Sequence, residues 1–353
     1  MALGTKPHSF GLAHSNRDFT IRDTWGKNQF NSSFPAALCC FLHSLGENAN
    51  YLKIQDGKFQ CCELSITQAF GISPLDEDTY FAFESLHSPY QPYVIGLLPR
   101  ANLVIQRRST GECLAGLEVK LTALPDNTTC QLEDSQYGSE IVVRPDTIVY
   151  LACSLVRGLS TDLHGFIDNE IEIEDWTEAR QVLPYVPRII ASLKQIVHNA
   201  ELHQSPFLLQ PIWKTIGKSP RLAGDCLDVF FWSDVGFTHF LSEVANNDPQ
   251  ANKITRQTRT AIWLYKMLLD VTEKGSFDHA RIIDRRSYNT KNDKAFASSG
   301  SITNKFMRCD RLIGPRVKKF QIKEIILGGG QELLSPERRF DAIVYNSPEL
   351  FDL

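Results

Sequence analysis

The sequence predicts an α/β protein in which helices flank a mixed central β-sheet. Three observations carry that expectation. The 353 residues are 22% charged and 42% hydrophobic, with 21 Gly and 17 Pro, which is ordinary for a globular chain and excludes disorder, collagen and fibrous coiled coil. Short β-branched apolar runs such as ANLVIQR (101–107) are bounded by turn residues, as strands are. Stretches of helical period, 188–203 and 254–272, alternate with them. There is no internal repeat, and the length suits one large domain with insertions or two smaller ones.

In chain order, residues 1–35 are polar and rich in Asn and Ser, with Trp25, Phe30 and Phe34 interleaved. Either these aromatics pack the arm on the core, or Asn16, Arg17, Lys27, Asn28, Gln29 and Asn31 meet phosphates and base edges, which Asn, Gln and Arg suit. Pro35 opens a short apolar helix, PAALCCFLHSL. Residues 76–88 fit a helix carrying Glu84 and ending before Pro89. Two strands follow, Ala101 to Arg107 and Cys113 to Leu124, joined as a hairpin through a Ser109-Thr110-Gly111 turn. On the second strand Glu118 and Lys120 share one face, while Leu117, Val119 and Leu121 point to the other.

Ile141 to Leu155 is almost continuously apolar and reads as a buried element broken at Pro145. The acidic run 168–178 alternates Glu170, Glu172 and Glu174 with Ile171 and Ile173. A solvated edge strand accounts for it best, and a metal site is the lesser alternative. Residues 188–203 are expected to be helical. Ile254 to Thr272 reads as a basic amphipathic helix carrying Arg256, Arg259, Trp263 and Lys266. Residues 284–310 read as a long polar, basic loop, and Gln321 to Leu327 and Arg339 to Tyr345 as strands.

Charge is strongly segregated. Residues 253–323 hold 17 Lys/Arg against 6 acids, so this stretch is +11 and the rest −15 within a net −4. Such asymmetry favours a polyanion-binding face. Loop 284–310 is either a disordered surface loop or the first place to look for base-reading or wrapping contacts, from Arg285, Arg286, Lys291, Lys294, Lys305 and Arg308. The nine cysteines include no CxxC, which argues against a zinc ribbon or a thioredoxin motif. With no apolar leader segment and no run near the roughly 18 apolar residues of a membrane span, a reducing, cytosolic location is expected. Gly328-Gly329-Gly330 reads as a turn, His198 and His203 miss the i, i+4 spacing of a helical zinc pair, and Ser154 and Ser160 lack a hydrolase elbow.

The informative constellation is Glu118-Val119-Lys120, preceded by 16 residues at the start of the adjoining strand by Asn102. It resembles the PD-(D/E)xK nuclease pattern, in which an acid opens one strand and D/E-x-K occupies the next. Paired carboxylates can hold Mg²⁺ against a scissile phosphate, and the lysine steadies the attacking water. The stretches SNRDFTIRDTWGKNQFNSSFPAAL (15–38), FAFESLHSPYQPYVIGLLPR (81–100), GLEVKLTALPDNTT (116–129) and YGSEIVVRPDTIVYLAC (137–153) together resemble the HindVP family of type II restriction endonucleases. The resemblance spans most of the chain and is densest over 10–155. It implies a restriction-endonuclease-like core within a single domain, 1–353. In that domain 1–75 form a helical arm, 76–200 the catalytic core and 201–353 a basic region that completes the DNA cleft. It further implies a cytoplasmic bacterial homodimer that cuts double-stranded DNA with Mg²⁺ at a short palindrome of the GRCGYC type.

Carried onto this chain, the resemblance makes Glu118 a metal-ligating carboxylate, the Val119 carbonyl a further ligand and Lys120 the group that orients the nucleophile. Position 102 departs from the pattern, which has Asp there; Asn keeps a carbonyl ligand and removes a charge. Three accounts compete: an inactivating change that leaves DNA binding intact, a substitute acid (Glu84, Glu140 or Asp146), or a different strand alignment. The favoured reading is an attenuated metal site at Asn102, Glu118 and Val119, with Glu84 among the catalytic candidates. Two functional classes follow, a site-specific deoxyribonuclease and a DNA-binding protein on a nuclease scaffold that no longer cuts. An enzyme of small phosphorylated substrates is a weaker third.

Overall fold

The strand-forming runs come together as one nine-stranded mixed sheet in the computed structural model. It describes residues 27–120, 122–125, 141–159, 163–167, 171–215, 222–247, 253–286, 288, 296–298 and 316–327, with the side chains of 27–33 among those left out. The strands are β1 (Ala49–Gln55), β2 (Lys58–Leu64), β3 (Thr79–Ser85), β4 (Ala101–Arg107), β5 (Cys113–Val119), β6 (Thr122–Pro125), β7 (Ile141–Val143), β8 (Pro206–Thr215), β9 (Leu222–Ser233), β10 (Phe296–Ser298) and β11 (Val317–Lys318). Along the main sheet the order is β2-β1-β9-β8-β5-β4-β3, with β6 beside β8 and β11 beside β9; β7 and β10 form a separate ribbon. The pairs β1/β2, β3/β4, β4/β5 and β8/β9 are antiparallel, whereas β1/β9, β5/β8 and β6/β8 are parallel.

The helices are α1 (Lys27–Ser44), α2 (Ile66–Phe70), α3 (Pro145–Gly158), α4 (Leu163–Phe166), α5 (Ala179–Val182), α6 (Val186–Asn199), α7 (Asp234–Asn246), α8 (Arg256–Lys274), α9 (His279–Arg285) and α10 (Lys319–Leu327). They cover both faces of the sheet. Alternate strand residues feed two cores: Ala82, Val104, Leu208 and Phe230 face α3, α6, α7 and α8, while Phe83, Leu103, Leu117, Leu209 and Phe231 face α1, α2 and α10.

Several expectations need correction. Residues 79–85 form strand β3 rather than a helix, because Phe81 and Phe83 enter one core and Ala82 the other while the run pairs with β4. Pro145 opens helix α3, where its missing N–H is harmless, and β7 precedes it. The apolar helix begins at Lys27, not Pro35, because burial of Phe34, Ala37, Leu38 and Phe41 outweighs the lost hydrogen bond at an internal proline. The expected long strand 113–124 is two elements, β5 ending at Val119 and β6 beginning at Thr122.

Described residues of the acidic run form no strand; Ile171 and Trp176 are buried instead, and Trp176 stacks on Tyr265 of α8. Gln321 to Leu327 belongs to α10, with Ile322 and Ile325 buried at helical spacing. Helix α8 forms as expected, but Arg259 and Lys266 are buried rather than displayed on a basic face. Arg339 to Tyr345, Gly328 to Gly330 and most of 284–310 lie outside the described residues. Among the described residues all seven cysteines are free thiols, and no helix is long and apolar enough to cross a membrane.

Candidate active site

The antiparallel register of β3, β4 and β5 aligns Phe83 with Leu103 and Leu103 with Leu117, all three buried on one face. Their neighbours Glu84, Asn102 and Glu118 therefore share the opposite face, on three adjacent strands. The sequence hairpin is real, and the acid expected on a preceding helix sits on the neighbouring strand instead. Glu84 has φ +49°, a left-handed conformation that costs a non-glycine residue on the order of 1 kcal/mol and that recurs at functional sites.

Asn102 ties the three strands together. Its Nδ2 donates to Glu84 Oε1 at 3.1 Å, and its Oδ1 accepts the Val119 backbone N–H at 2.9 Å. Glu118 is 4% exposed, and its Oε2 accepts from the Thr147 hydroxyl at 2.9 Å and faces Lys120 Nζ at 3.5 Å. Lys120 follows the end of β5, where its backbone N–H donates to the Leu209 carbonyl of β8 at 3.0 Å. That bond holds the lysine on the side of the sheet that carries Glu118.

Helix α3 roofs this face. Thr147 lies in its first turn, and one turn later the Tyr150 hydroxyl donates to the Pro99 carbonyl at 2.9 Å and accepts the His87 N–H at 3.3 Å. Burial, then the nearby Glu118 carboxylate, push the Tyr150 phenol well above its usual range, against the lowering hydrogen bond from His87. His87 is itself buried over Gly116, and a Cβ at that glycine would stand 2.7 Å from His87 Cγ. Burial, reinforced by the Arg157 charge, holds the His87 imidazole down to about 4, so it is neutral at physiological pH. Thr147, Tyr150, His87 and Gly116 went unnoticed in the sequence; no motif marks them, and only the α3-over-β5 packing brings them here.

The other candidates fall elsewhere. Asp146 is exposed in the first turn of α3, where its charge acts on His279 of α9. Glu140, Asn16, Arg17, Lys291, Lys294, Lys305 and Arg308 lie outside the described residues. Lys27, Asn28 and Gln29 occupy the first turn of α1, with their side chains not described. Arg285 is exposed at the end of α9. Arg286 is half-buried, with Nη1 donating to the Arg281 carbonyl at 3.4 Å and burial lowering its guanidinium.

As a cation site the cluster offers hard oxygen donors. No group of three or more His, Cys, Asp or Glu able to hold a metal exists among the described residues. Mg²⁺, however, commonly takes one or two carboxylates and completes its shell with water and phosphate oxygens. Glu118 Oε1 makes no hydrogen bond among the described residues, and Asn102 Oδ1 keeps a second lone pair. The donor set fits such an ion.

Known proteins match nearly the whole chain. A protein of Haemophilus influenzae named "Probable type II restriction enzyme HindVP" is 54% identical over 351 residues, 99% of this chain and 96% of its own length. "Type II restriction enzyme HgiDI" of Herpetosiphon aurantiacus is 42% identical over 351 residues, 98% of each chain. No solved structure matches the chain. The family model described as HindVP restriction endonuclease matches residues 25–351, so the chain belongs to the HindVP restriction endonuclease family.

Proposed function

We propose that the protein is a Mg²⁺-dependent type II endonuclease that hydrolyses phosphodiester bonds of double-stranded DNA at a GRCGYC-type palindrome. The observation that carries the reading is the grouping of Glu84, Asn102, Glu118 and Lys120 on one face of three adjacent strands. In this reading Glu118 and Glu84, with the Asn102 amide oxygen and the Val119 carbonyl, hold the cation. When bound, Mg²⁺ supplies positive charge against the scissile phosphate and lowers the pKa of a water. Lys120 orients that water and steadies its developing charge, and α3 with the sheet beneath it keeps Glu118 dry. Asn102 bridges Glu84 to β5 and lowers the negative charge of the site, so cation affinity is attenuated. Arg285, Arg286 and the Lys/Arg of 291–308, with the arm residues 16–29, contact DNA, and phosphate contacts make binding steep in salt. The protein works as a homodimer in the bacterial cytoplasm, since a palindrome offers each subunit the same half-site.

A second reading, a sequence-specific DNA-binding protein that does not cut, is favoured by one observation: both polar ends of the Asn102 amide already hold protein partners. One experiment separates the two. Plasmid bearing GRCGYC sites is incubated with Mg²⁺ and this chain, Asn102→Asp or Glu118→Ala, beside a gel shift on the same DNA. Discrete fragments from this chain and none from Glu118→Ala support the nuclease. Binding without cutting by this chain, with cutting restored in Asn102→Asp, selects the second reading. Absence of both binding and cutting sinks the two together.

A further inference from the structure

Resting on that nuclease reading, we infer that Thr147 is a positioning residue that aims the Glu118 carboxylate at the cation. Three observations meet at this pair. The Thr147 hydroxyl is fully buried and donates to Glu118 Oε2 at 2.9 Å, a contact between residues 29 positions apart in sequence. Lys120 approaches the same oxygen at 3.5 Å, too far for a tight ion pair. Both donors thus converge on Oε2, and Oε1 is left without a hydrogen bond among the described residues.

The division of labour between the two oxygens follows from this geometry. A buried carboxylate with a lysine two residues away would ordinarily rotate to close the ion pair, drawing the ammonium away from the water it orients. Thr147 holds Oε2 on the α3 side, so the carboxylate stays turned, Oε1 is presented to a cation, and Lys120 remains available. Its position in the first turn of a 14-residue helix makes the hold rigid. The aligned N–H groups there also favour a negative charge nearby. That helix is pinned at two further points on the same stripe, by Tyr150 to the Pro99 carbonyl and by the Ser154 hydroxyl to Asp234 Oδ2 at 2.7 Å.

The test uses the full chain with Thr147→Val, which keeps shape and loses the hydroxyl, and Thr147→Ser, which keeps the hydroxyl. Ca²⁺ binding in the presence of site DNA, read by titration calorimetry, gives affinity without cleavage. The Mg²⁺ dependence of cleavage is measured in parallel, with thermal melting to confirm folding. Expected for Thr147→Val is about 10–100-fold weaker Ca²⁺ binding and a matching rise in half-saturating Mg²⁺, with both restored by Thr147→Ser. Unchanged Ca²⁺ affinity in folded Thr147→Val, while Glu118→Ala abolishes it, overturns the role of Thr147 and leaves the nuclease reading standing. If Glu118→Ala itself binds Ca²⁺ and cuts as before, both fall.

Discussion

Two buried acid–lysine groups in this molecule behave in opposite ways. On α8, Asp270 Oδ1 accepts Lys266 at 2.8 Å and Lys274 at 2.7 Å, and Lys266 also lies 5.2 Å over the Trp176 ring. Burial pushes the Asp270 carboxyl up, but the two lysine hydrogen bonds and charges more than offset it, leaving it below the usual carboxylate range. On β5, the Glu118–Lys120 separation is 3.5 Å, and the Thr147 hydroxyl takes the same carboxylate oxygen at 2.9 Å. The α8 lysines close on their acid at full hydrogen-bond distance within one helix, whereas the lysine after β5 stands off its acid, which leaves its ammonium free to meet another group. Buried charge by itself therefore does not mark function. What sets the β5 group apart is a lysine held off its acid on a rigid support.

That contrast can be broken, most severely at Lys120. Lys120→Ala should lower kcat for cleavage on the order of 10²–10⁴-fold while the melting temperature moves little, as measured by single-turnover cleavage beside calorimetry. A loss of folding with no specific loss of rate would make Lys120 a counterpart of Lys266. The converse change, Asp270→Ala, strands Lys266 in the core and should cost about 3–5 kcal/mol in urea unfolding, with cleavage per folded molecule unchanged. A loss of activity without a loss of stability would refute the structural role of α8.

A third buried acid sharpens the comparison because it has no lysine at all. Asp234 accepts the Ser154 hydroxyl and the backbone N–H groups of Ser205 and Val235. Burial nevertheless raises its carboxyl from 3.8 to about 6, with those hydrogen bonds pulling the other way. The folded state thus binds this proton more tightly than the unfolded chain does. Its contribution to stability is full below pH 3.8 and is lost as pH rises through about 6, a change on the order of 3 kcal/mol. Asp234→Asn preserves the acceptor toward the two N–H groups and can donate to Ser154. Its stability between pH 4 and 6 should lack that fall, which pH-dependent urea unfolding would reveal. An identical slope in both proteins would assign the dependence to other groups.

What the sequence made legible follows physical range. Glu118 and Lys120 stood out because two charges interrupt an apolar period-2 run, a purely local signal, and the turn at 109–111 supplied their partner strand. Glu84 was placed on a helix because DEDTYFAFESL satisfies helical and strand patterns alike, and only pairing with β4 decides. Arg259 and Lys266 counted toward a basic surface because a charge tally cannot see burial; Trp263, Trp176 and Asp270, which absorb them, come from packing. Thr147 is an unremarkable residue until α3 crosses β5, so nothing short of the fold could have named it.

The strand order carries one more consequence, for how the chain reaches this state. The three site strands lie between residues 79 and 119 and pair as consecutive neighbours, so they need only local contacts to form. By contrast β9, in the middle of the sheet, joins β1 through contacts such as Asn50 with Phe230, 180 residues away in sequence. Closing a loop of that length is entropically unfavourable and slow compared with hairpin formation. A chain emerging from the ribosome therefore holds β3, β4 and β5 well before the strand that seats β1 in the sheet. Completion of the central sheet is thus a late event, paced by the synthesis of β8 and β9.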